Sequence, residues 1–296
     1  MEFHISVDTG GTFTDAAVSD ATGRLVIGKS LTTPDRAIDG VFAAVSDAAG
    51  KFGLDGESVL RQTRLFVYGT TRATNAIVER KVARTAFLTT QGFPDILLFK
   101  EGGKLDAYRW DTEFPKPYIP RRHTFEVPER VTSEGTVHKP LDEDAVKEIL
   151  ATLERRRFEA VAVCLLWSVV NPEHELRVGE LLRERLPDVP FTLSHQLNPI
   201  IREYRRASST VIDASLAPMM RHHLSQLRTD LEDRGFSGKL LVSTSIGGVM
   251  HVEDVIERPI YLTKSGPSMA PIAGKVYAGA ARQGDSVIVC DTGGTT

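Results

Sequence analysis

Two copies of one short string, DTGGT, stand near opposite ends of the chain, the first starting at Asp8 and the second at Asp291. Because glycine lacks a Cβ atom, such a glycine pair can turn tightly and bring backbone N–H groups against an anion. An aspartate beside phosphate groups is a suitable ligand for Mg²⁺, directly or through water. Further donors are the hydroxyl groups of the neighbouring threonines, which in the first copy are Thr9, Thr12 and Thr14. The string therefore predicts a phosphate site with a divalent cation.

A single copy of this string carries little weight, since Asp-Thr-Gly-Gly is also an ordinary hairpin turn. The two copies lie 283 positions apart (291 − 8), and each follows an apolar stretch typical of a strand. The repetition favours a functional site over a plain turn.

The elements that must position the first copy are short strands that alternate with helices. Strands are predicted over residues 4–8, 15–20, 24–31, 65–71 and 83–90. The first three are so close in sequence that they must form antiparallel hairpins. One helix enters at Thr33-Pro34, and a second begins near Thr74. We expect the order βββαβαβ, with 83–90 returning to the same sheet.

The middle of the chain loses this periodicity and carries four prolines in the run FPKPYIPRRHTFEVPERV. Such a stretch is a functional loop or a small irregular extension of the sheet. Beyond it we predict helices over 141–156 and 171–186, a long helix from Pro199 to Arg234 broken or capped near Pro218, and strands over 158–167, 191–197, 239–249 and 286–294. The predicted segments are 1–91, 92–140, 141–238 and 239–296.

The composition indicates a folded protein without an affinity for polyanions. The 296 residues are 41% hydrophobic and carry a net charge of −3, so no excess of Lys and Arg could neutralise nucleic acid or an anionic membrane. No stretch approaches the ~20 apolar residues of a membrane span. Cys164 and Cys290 lie in apolar runs, which favours two buried, reduced thiols over a disulfide. We expect a cytoplasmic protein with no nucleic-acid or membrane partner.

The repeated hairpin resembles the nucleotide-binding α/β fold shared by actin, sugar kinases and heat-shock chaperones. There, two ribonuclease H-like halves each supply a phosphate hairpin, with ATP in the cleft between them. Longer strings are similar to the hydantoinase A and 5-oxoprolinase family, in order along the chain: VDTGGTFTD, VYGTTRATNAIVER, IPRRHTFEVPERV, LLWSVVNPEHELRV, EYRRASSTVIDASLAP and TKSGPSMAPIAG followed by CDTGGTT. The resemblance implies a first half, an inserted α/β region and a second half that is only begun.

The resemblance also implies which residues bind ATP and Mg²⁺ (or Mn²⁺). Phosphate-hairpin and γ-phosphate residues are Asp8, Gly10, Gly11, Thr12, Thr14, Gly69, Thr70 and Thr71. Residues further along are Gly247, Gly248, Ser265 and Gly266, the last two on the adenosine side, and the second hairpin supplies Asp291, Gly293, Gly294 and Thr295. Asp8 and Asp291 would hold the metal, and with Thr70 and Thr71 they are the predicted catalytic residues.

Several residues keep two interpretations at this stage. Asp15 is a second acid near the metal or a strand residue, and Asn75 caps a helix or contacts the ligand. Candidates for contact with substrate that equally suit exposed positions are His195, Glu203 with Tyr204, and His123 with Arg121 and Arg122. The sequence departs from the family after SGP, where Met269 and Pro271 replace small residues, which makes adenine recognition less certain than phosphate recognition.

The implied reaction is phosphorylation of a carbonyl-type oxygen by ATP, which turns a poor leaving group into a good one. We expect hydrolytic opening of a cyclic amide of the hydantoin or oxoproline type. Carboxylation of a ketone, through an enol phosphate and activated bicarbonate, is the alternative, and a nucleotide-switched binding module is a third. The chain stops six residues into the second hairpin, at Thr296. We therefore expect two partners, a missing C-terminal half or split-chain segment and a hydantoinase B-like subunit.

Overall fold

The computed structural model describes residues 2–101, 108–111, 116–282, 284 and 286–290. Its strands are β1 (Phe3–Thr9), β2 (Phe13–Asp20), β3 (Leu25–Leu31), β4 (Thr63–Thr70), β5 (Thr85–Thr90), β6 (Thr124–Val127), β7 (Arg130–Val131), β8 (Val137–Lys139), β9 (Ala160–Cys164), β10 (Phe191–Leu193), β11 (Lys239–Ser243) and β12 (Val249–His251). Its α-helices are α1 (Ala37–Gly50), α2 (Gly56–Arg61), α3 (Arg72–Val78), α4 (Ile96–Phe99), α5 (Glu143–Arg155), α6 (Glu173–Arg185), α7 (Ser194–Leu197), α8 (Glu203–Asp233), α9 (Val252–Glu257) and α10 (Ser265–Ala281).

The chain divides into two compact units. The first combines Met1–Lys81 with Met219–Thr296, and the second is Val82–Pro218. Helix α8 carries the chain from the second unit back to the first. The predicted division into segments 1–91, 92–140, 141–238 and 239–296 stays a prediction. The predicted residues of the second hairpin, which are Asp291, Gly293, Gly294 and Thr295, lie outside the described residues.

The first unit is built on a mixed sheet with strand order β12-β11-β4-β1-β2-β3. Strands β1, β2 and β3 form the predicted antiparallel hairpins, while β1, β4 and β11 run parallel. Side chains of β1 alternate between buried and exposed, as expected for a strand with one covered face. Helix α1 packs against β2 and β3 so closely that a Cβ at Gly28 would lie 2.1 Å from the carbonyl oxygen of Ala44.

The second unit contains a parallel sheet with strand order β10-β9-β5-β6. The expectation that 83–90 returns to the first sheet is wrong, because β5 pairs with β6 and β9 instead. Both neighbouring positions of β1 are already taken by β2 and β4, and β4 has β11 on its other side. Every residue of β5 is buried, which is typical of a parallel strand covered on both faces.

Other sequence predictions also need correction. Helix α8 runs through Pro218 without a break, although proline cannot donate the backbone hydrogen bond there, because its neighbours Ala217 and Met220 are buried and packing holds the helix. The strand predicted over 191–197 ends at Leu193 and turns into α7. The strand predicted over 239–249 is the hairpin of β11 and β12. Described residues 286–290 form no strand, and Cys290 is exposed, not buried.

Helix α2 was not predicted from the sequence. Asp55 caps it, accepting a hydrogen bond from the backbone N of Ser58 at 2.8 Å. Among the described residues no helix is long and apolar enough to cross a membrane.

Candidate phosphate and metal site

The carboxyl ends of the three parallel strands β1, β4 and β11 bring Asp8, Gly69 and Ser243 together. Asp8 is the register partner of Gly69. A Cβ built at Gly69 would lie 3.3 Å from Asp8 Oδ1 and 3.3 Å from Ser243 Oγ. Glycine at this position therefore leaves room for an exposed carboxylate at the strand end. Ligands of open α/β sheets bind at this edge.

The hairpin between β1 and β2 is the predicted turn of Gly10 and Gly11. The backbone N of Gly10 donates to the carbonyl oxygen of Phe13 at 3.0 Å, which closes the turn. Thr32 fixes it from the side: its backbone N donates to the Thr12 carbonyl at 2.9 Å, and its hydroxyl donates to the Gly10 carbonyl at 3.0 Å. Gly11 and Thr12 at the tip are exposed, so their backbone can reach an anion.

Thr14 and Asp15 have structural contacts in this hairpin. Thr14 is buried, and its hydroxyl lies 3.0 Å from that of Thr32, so it supports the hairpin from below. Asp15 stands opposite Asp8 in the register and forms an ion pair with Lys29 at 2.8 Å. The ion pair with Lys29 favours the interpretation of Asp15 as a strand residue.

The turn from β4 into α3 places Thr70 and Thr71 beside the hairpin. The backbone N of Thr71 donates to the Thr9 carbonyl at 3.3 Å, and Thr70 Oγ1 accepts from the backbone N of Arg72 at 3.2 Å. Asn75 is not the N-cap, a position that Thr71 holds. Its Nδ2 donates to Thr71 Oγ1 at 3.3 Å. Backbone groups of Thr9 and Arg72, together with the side chain of Asn75, therefore hold Thr70 and Thr71 in place.

Helix α10 begins against the same strand ends. Ser265 Oγ donates to the Thr70 carbonyl at 3.2 Å, and Ser268 Oγ donates to the Thr244 carbonyl at 2.7 Å. A Cβ at Gly266 would lie 3.9 Å from the methyl group of Thr71. Ser265 and Gly266 thus lie at the same edge of the first unit as Thr70 and Thr71, and their role on the adenosine side stays a prediction.

The other predicted glycine pair, Gly247 and Gly248, forms the turn between β11 and β12. Gly247 has a φ of +78°, a conformation that L side chains rarely adopt. A Cβ there would lie 3.0 Å from the side chain of Ile272 in α10. The carbonyl of Gly248 accepts from the backbone N of Thr244 at 2.9 Å. This pair holds a tight turn against α10, the helix that contains Met269 and Pro271.

A cavity of ≈ 280 Å³ opens beside the hairpin within the first unit. Thr9, Gly10, Gly11, Thr32, Tyr68, Thr70, Thr71, Arg72, Asn75 and His223 are among its lining residues. Arg72 Nε and Asn75 Oδ1 are buried polar atoms of lining residues that have no hydrogen-bond partner within the described part of the chain, while the side chain of Thr9 is hydrogen-bonded to Tyr68.

Tyr68 and His223 form a buried pair at the same cavity, with the Tyr68 hydroxyl 3.0 Å from His223 Nε2. Burial, together with the nearby charge of Arg72, lowers the pKa of His223 to about 4. Burial also raises the pKa of Tyr68. Both side chains are therefore uncharged at neutral pH.

Known proteins resemble this chain in both sequence and fold. Residues 4–186 match the hydantoinase/oxoprolinase N-terminal region, and residues 206–296 match the hydantoinase/oxoprolinase family. The chain belongs to the hydantoinase/oxoprolinase family. Its predicted nucleotide-binding α/β fold is confirmed by two solved relatives: nucleotide-free acetone carboxylase (TM-score 0.81, 26% identity, 95% of this chain and 41% of that one) and ATP-dependent caprolactamase from Pseudomonas jessenii (TM-score 0.82, 32% identity, 94% and 40%).

Curated relatives of this hydantoinase/oxoprolinase chain carry different activities in their names. The caprolactamase subunit alpha of Pseudomonas jessenii is 33% identical over 100% of this chain and 43% of its own length. The acetophenone carboxylase gamma subunit of Aromatoleum aromaticum is 34% identical over 99% and 41%. The chain thus spans less than half the length of these relatives.

The donor set of this family member suits Mg²⁺ or Mn²⁺ beside phosphates. No cluster of three or more His, Cys, Asp or Glu side chains able to hold a metal occurs among the described residues. Mg²⁺ commonly takes only one or two carboxylates, with waters and phosphate oxygens completing its shell. Asp8, exposed at the end of β1, fits such a role.

The remaining predicted residues of the hydantoinase/oxoprolinase chain belong to the second unit. His195 Nδ1 lies 2.6 Å from the buried carboxylate of Glu175. Glu203 and Tyr204 line a cavity of ≈ 480 Å³ together with Asp95 and Phe99, among others. His195 thus contacts a buried carboxylate, and Glu203 and Tyr204 line a cavity, all within the second unit.

The basic residues of the proline-rich run contact other residues of the second unit. The ring of His123 packs edge-on against Phe158 at 5.0 Å, and burial lowers its pKa. Arg121 pairs with Asp95 at 2.7 Å, and Arg122 accepts at its carbonyl from Arg156 at 3.2 Å. An anion-orienting role for this group stays a prediction.

Sequence reasoning missed Thr32, Arg72, Ser243 and the Tyr68–His223 pair. Arg72 directly follows Thr70 and Thr71, so the predicted turn from strand to helix could have indicated that Arg72 also lies at the site. Ser243 and His223 reach the site only through strand order and helix packing, for which the sequence contains no local pattern.

Proposed function

We propose that this chain supplies one phosphate-binding half of an ATP site that phosphorylates the carbonyl oxygen of a small substrate. The convergence of Asp8, Gly69 and Ser243 at the ends of three parallel strands carries the proposal. It creates an exposed carboxylate next to a glycine hairpin, an arrangement that suits a metal and phosphates together.

Each residue of the site has a proposed task. Asp8 holds Mg²⁺ or Mn²⁺, directly or through water, and the exposed tip of Gly11 and Thr12 offers backbone donors to phosphate oxygens. Gly69, Thr70 and Thr71 border the transferred group. Gly247, Gly248, Ser265 and Gly266 are proposed for the nucleoside side, and Asp291, Gly293, Gly294 and Thr295 for the opposing hairpin.

ATP supplies the activated phosphoryl group, and the protein contributes positioning and charge neutralisation. The contacts of Thr32 with the hairpin hold its tip in one conformation before ligand arrives. Preorganised donors are worth more than mobile ones, since they lose no freedom in the reaction. A carboxylate near phosphates would repel them, so Asp8 favours phosphates only with the cation bound.

Hydrolytic opening of a cyclic amide is the reaction we propose. The similarity to caprolactamase, named for a lactam, supports it. Ketone carboxylation is the second candidate, because the acetophenone carboxylase subunit is 34% identical, a nearly equal value. Partners are proposed on the same ground: the relatives are named as subunits and are more than twice as long. We propose a second nucleotide-binding half and a hydantoinase B-like subunit as those partners.

ATP turnover by the native assembly tests the proposal. We expect turnover to rise with a cyclic amide, and Asp8→Asn to abolish the increase. Asp254→Asn, an exposed carboxylate on α9, is the matched control and keeps it. Turnover that rises only with a ketone and bicarbonate would select the second candidate. Turnover that ignores both compound classes would reject an enzyme of either type.

A further inference from the structure

Tyr68 lies on the buried face of the first sheet, next to the strand ends from which the phosphate hairpin extends. The alternation of β4 places its fully buried side chain on the same face as that of Thr70, with Gly69 between them. On β1 the same alternation buries Thr9 and exposes Asp8. Thr9 is the register partner of Thr70, and Asp8 is that of Gly69. The proposed metal ligand therefore lies on one face of this edge, and Tyr68 with the two threonines lies on the other.

The hydroxyl group of Tyr68 has three partners within the first unit. His223 Nε2 lies 3.0 Å away, and the hydroxyl groups of Thr9 and Thr70 are hydrogen-bonded to the phenol. A phenol oxygen can donate one hydrogen bond and accept two, so these three partners use its whole capacity. The four side chains therefore form one hydrogen-bonded group, the Tyr68 cluster.

The Tyr68 cluster joins two segments that both border the proposed phosphate site. The hairpin of Gly10 and Gly11 follows Thr9, and the turn into α3 follows Thr70. Beyond the last paired residues of β1 and β4, the backbone N of Thr71 donates to the Thr9 carbonyl at 3.3 Å, which is longer than the ~2.7–3.2 Å of a typical N–H···O bond. A phenol bonded to both threonines adds a second link at this point.

We propose that Tyr68 is a positioning residue for phosphoryl transfer, whose hydroxyl group holds the phosphate hairpin and the strand-to-helix turn at the spacing that the reaction needs. The inference rests on the proposed function, in which Gly11 and Thr12 offer donors to phosphate and Thr70 borders the transferred group. Tyr68 is buried behind these residues and acts through Thr9 and Thr70. A displacement of about 1 Å in such groups can lower a rate on the order of a hundredfold.

His223 completes the cluster without bringing a charge to the site. Burial lowers the pKa of His223 and raises that of Tyr68, so both side chains are uncharged at neutral pH. Met220 and Leu224, its neighbours on α8, are fully buried and hold the helix in place. The imidazole is thereby fixed, with its ring centroid 5.9 Å from that of Tyr68. His223 orients the phenol hydroxyl, one step further from the reaction.

Kinetics of Tyr68→Phe in the native assembly test the assignment, because this change removes the hydroxyl and keeps the ring. We expect kcat for ATP turnover with a cyclic amide to fall about tenfold, while KM for ATP changes less than about twofold, since the spacing matters more for reaction than for binding. Tyr118→Phe is the matched control. It removes a hydrogen bond of 2.8 Å to Ser215 Oγ in the second unit and should leave kcat unchanged.

A double-mutant cycle separates the cluster from a general loss of packing. His223→Leu should lower kcat by a few-fold, and His223→Gln, whose amide can bond the phenol, should retain most of it. Once Tyr68→Phe is present, His223→Leu should lower kcat no further, because the hydroxyl that it orients is gone. If Tyr68→Phe does not fold, the comparison of His223→Leu with His223→Gln tests the same cluster.

Hydrogen exchange measures the link between the two segments without catalysis. The amide of Thr71, which donates to the Thr9 carbonyl, should exchange about tenfold faster in Tyr68→Phe and at the native rate in Tyr118→Phe. A native kcat in Tyr68→Phe, unchanged exchange of the Thr71 amide, an equal fall of kcat in Tyr118→Phe, or losses that multiply in the double variant would each overturn the inference.

The two proposals fail in different ways. If ATP turnover does not depend on Asp8, the proposed function fails, and exchange of the Thr71 amide still decides whether Tyr68 holds this edge. If Asp8→Asn abolishes turnover and Tyr68→Phe keeps the native kcat, the positioning role of Tyr68 alone fails.

Discussion

Gly69 and Asp8 form one steric unit, because a side chain at position 69 would begin 3.3 Å from Oδ1 of Asp8. Such a contact is tight, so the carboxylate must move to admit it. We predict that Gly69→Ala lowers kcat/KM for ATP at least about tenfold, a loss of ~1.4 kcal/mol in transition-state stabilisation, while the free energy of unfolding changes by less than about 1 kcal/mol.

Steady-state kinetics and urea unfolding of the Gly69→Ala variant check this prediction. Gly50→Ala is the matched control, since an added Cβ at the end of α1 meets nothing within 4 Å. Native kinetics in Gly69→Ala would show that the space beside Asp8 has no function.

The buried His223 makes stability depend on pH. Its pKa is lowered to about 4 in the folded protein, against an ordinary value of 6.5. Between these values the unfolded chain binds more protons, so stability is complete above pH 6.5 and is lost as the pH falls. At pH 5.5 the loss relative to pH 7.5 should be roughly 1.4 kcal/mol.

Urea unfolding at the two pH values measures this loss in native protein and in His223→Gln, in which we expect the pH dependence to be smaller by about that amount. His138→Gln, an exposed histidine of the second unit, serves as the control. The same pH dependence in native protein and His223→Gln would contradict the assignment.

Arg206 and Arg205 are neighbours with opposite environments. Arg206 is 1% exposed and donates to Ser194 Oγ and to the carbonyls of Ile200 and Leu165, at 2.8 to 3.0 Å. Arg205 forms an exposed ion pair with Glu101. We predict that Arg206→Met destabilises the protein by about 3–5 kcal/mol, because two carbonyls and Ser194 Oγ, which itself donates to the buried Glu175, then lose their charged donor. Arg205→Met should cost less than about 1 kcal/mol.

Denaturant unfolding of both arginine variants gives the comparison under identical conditions. If the two substitutions lower the free energy of unfolding equally, the burial of Arg206 does not determine how much it stabilises the protein.

The two cysteines should react with a thiol reagent at very different rates. Burial raises the pKa of the Cys164 thiol to about 12, whereas Cys290 is exposed. Only thiolate reacts, so at pH 8 one thiol per native chain should react rapidly and the second only after unfolding. Cys290→Ser should remove the rapid phase. Rapid labelling of that variant would show that Cys164 is accessible.

Much of the site could be predicted from the sequence because its signals are local. The glycine pair at Gly10, the strand ending at Asp8 and the turn at Thr70 each depend on neighbours a few positions away. Helix α5 could also be predicted from the sequence, because Asp142 caps it and accepts a hydrogen bond from the backbone N of Ala145 at 3.0 Å. Local chemistry of this kind is visible without knowledge of the fold.

The rest depends on contacts between distant segments. The sheet membership of β5 is decided by which neighbours β1 and β4 already have. Ser243 reaches Gly69 through parallel pairing of β11 with β4, across more than 170 positions (243 − 69 = 174). Pro218 looked like a break, yet packing keeps α8 continuous. None of these three features could be predicted from a local sequence pattern.

Metal binding at Asp8 tests the central claim most directly. An electron paramagnetic resonance titration of Mn²⁺ in the presence of ATP would compare native assembly, Asp8→Asn and the exposed control Asp254→Asn. We predict a nucleotide-dependent Mn²⁺ site whose affinity falls at least about tenfold in Asp8→Asn, a change of ~1.4 kcal/mol, and is unchanged in Asp254→Asn. Equal Mn²⁺ affinity in all three proteins would contradict the account.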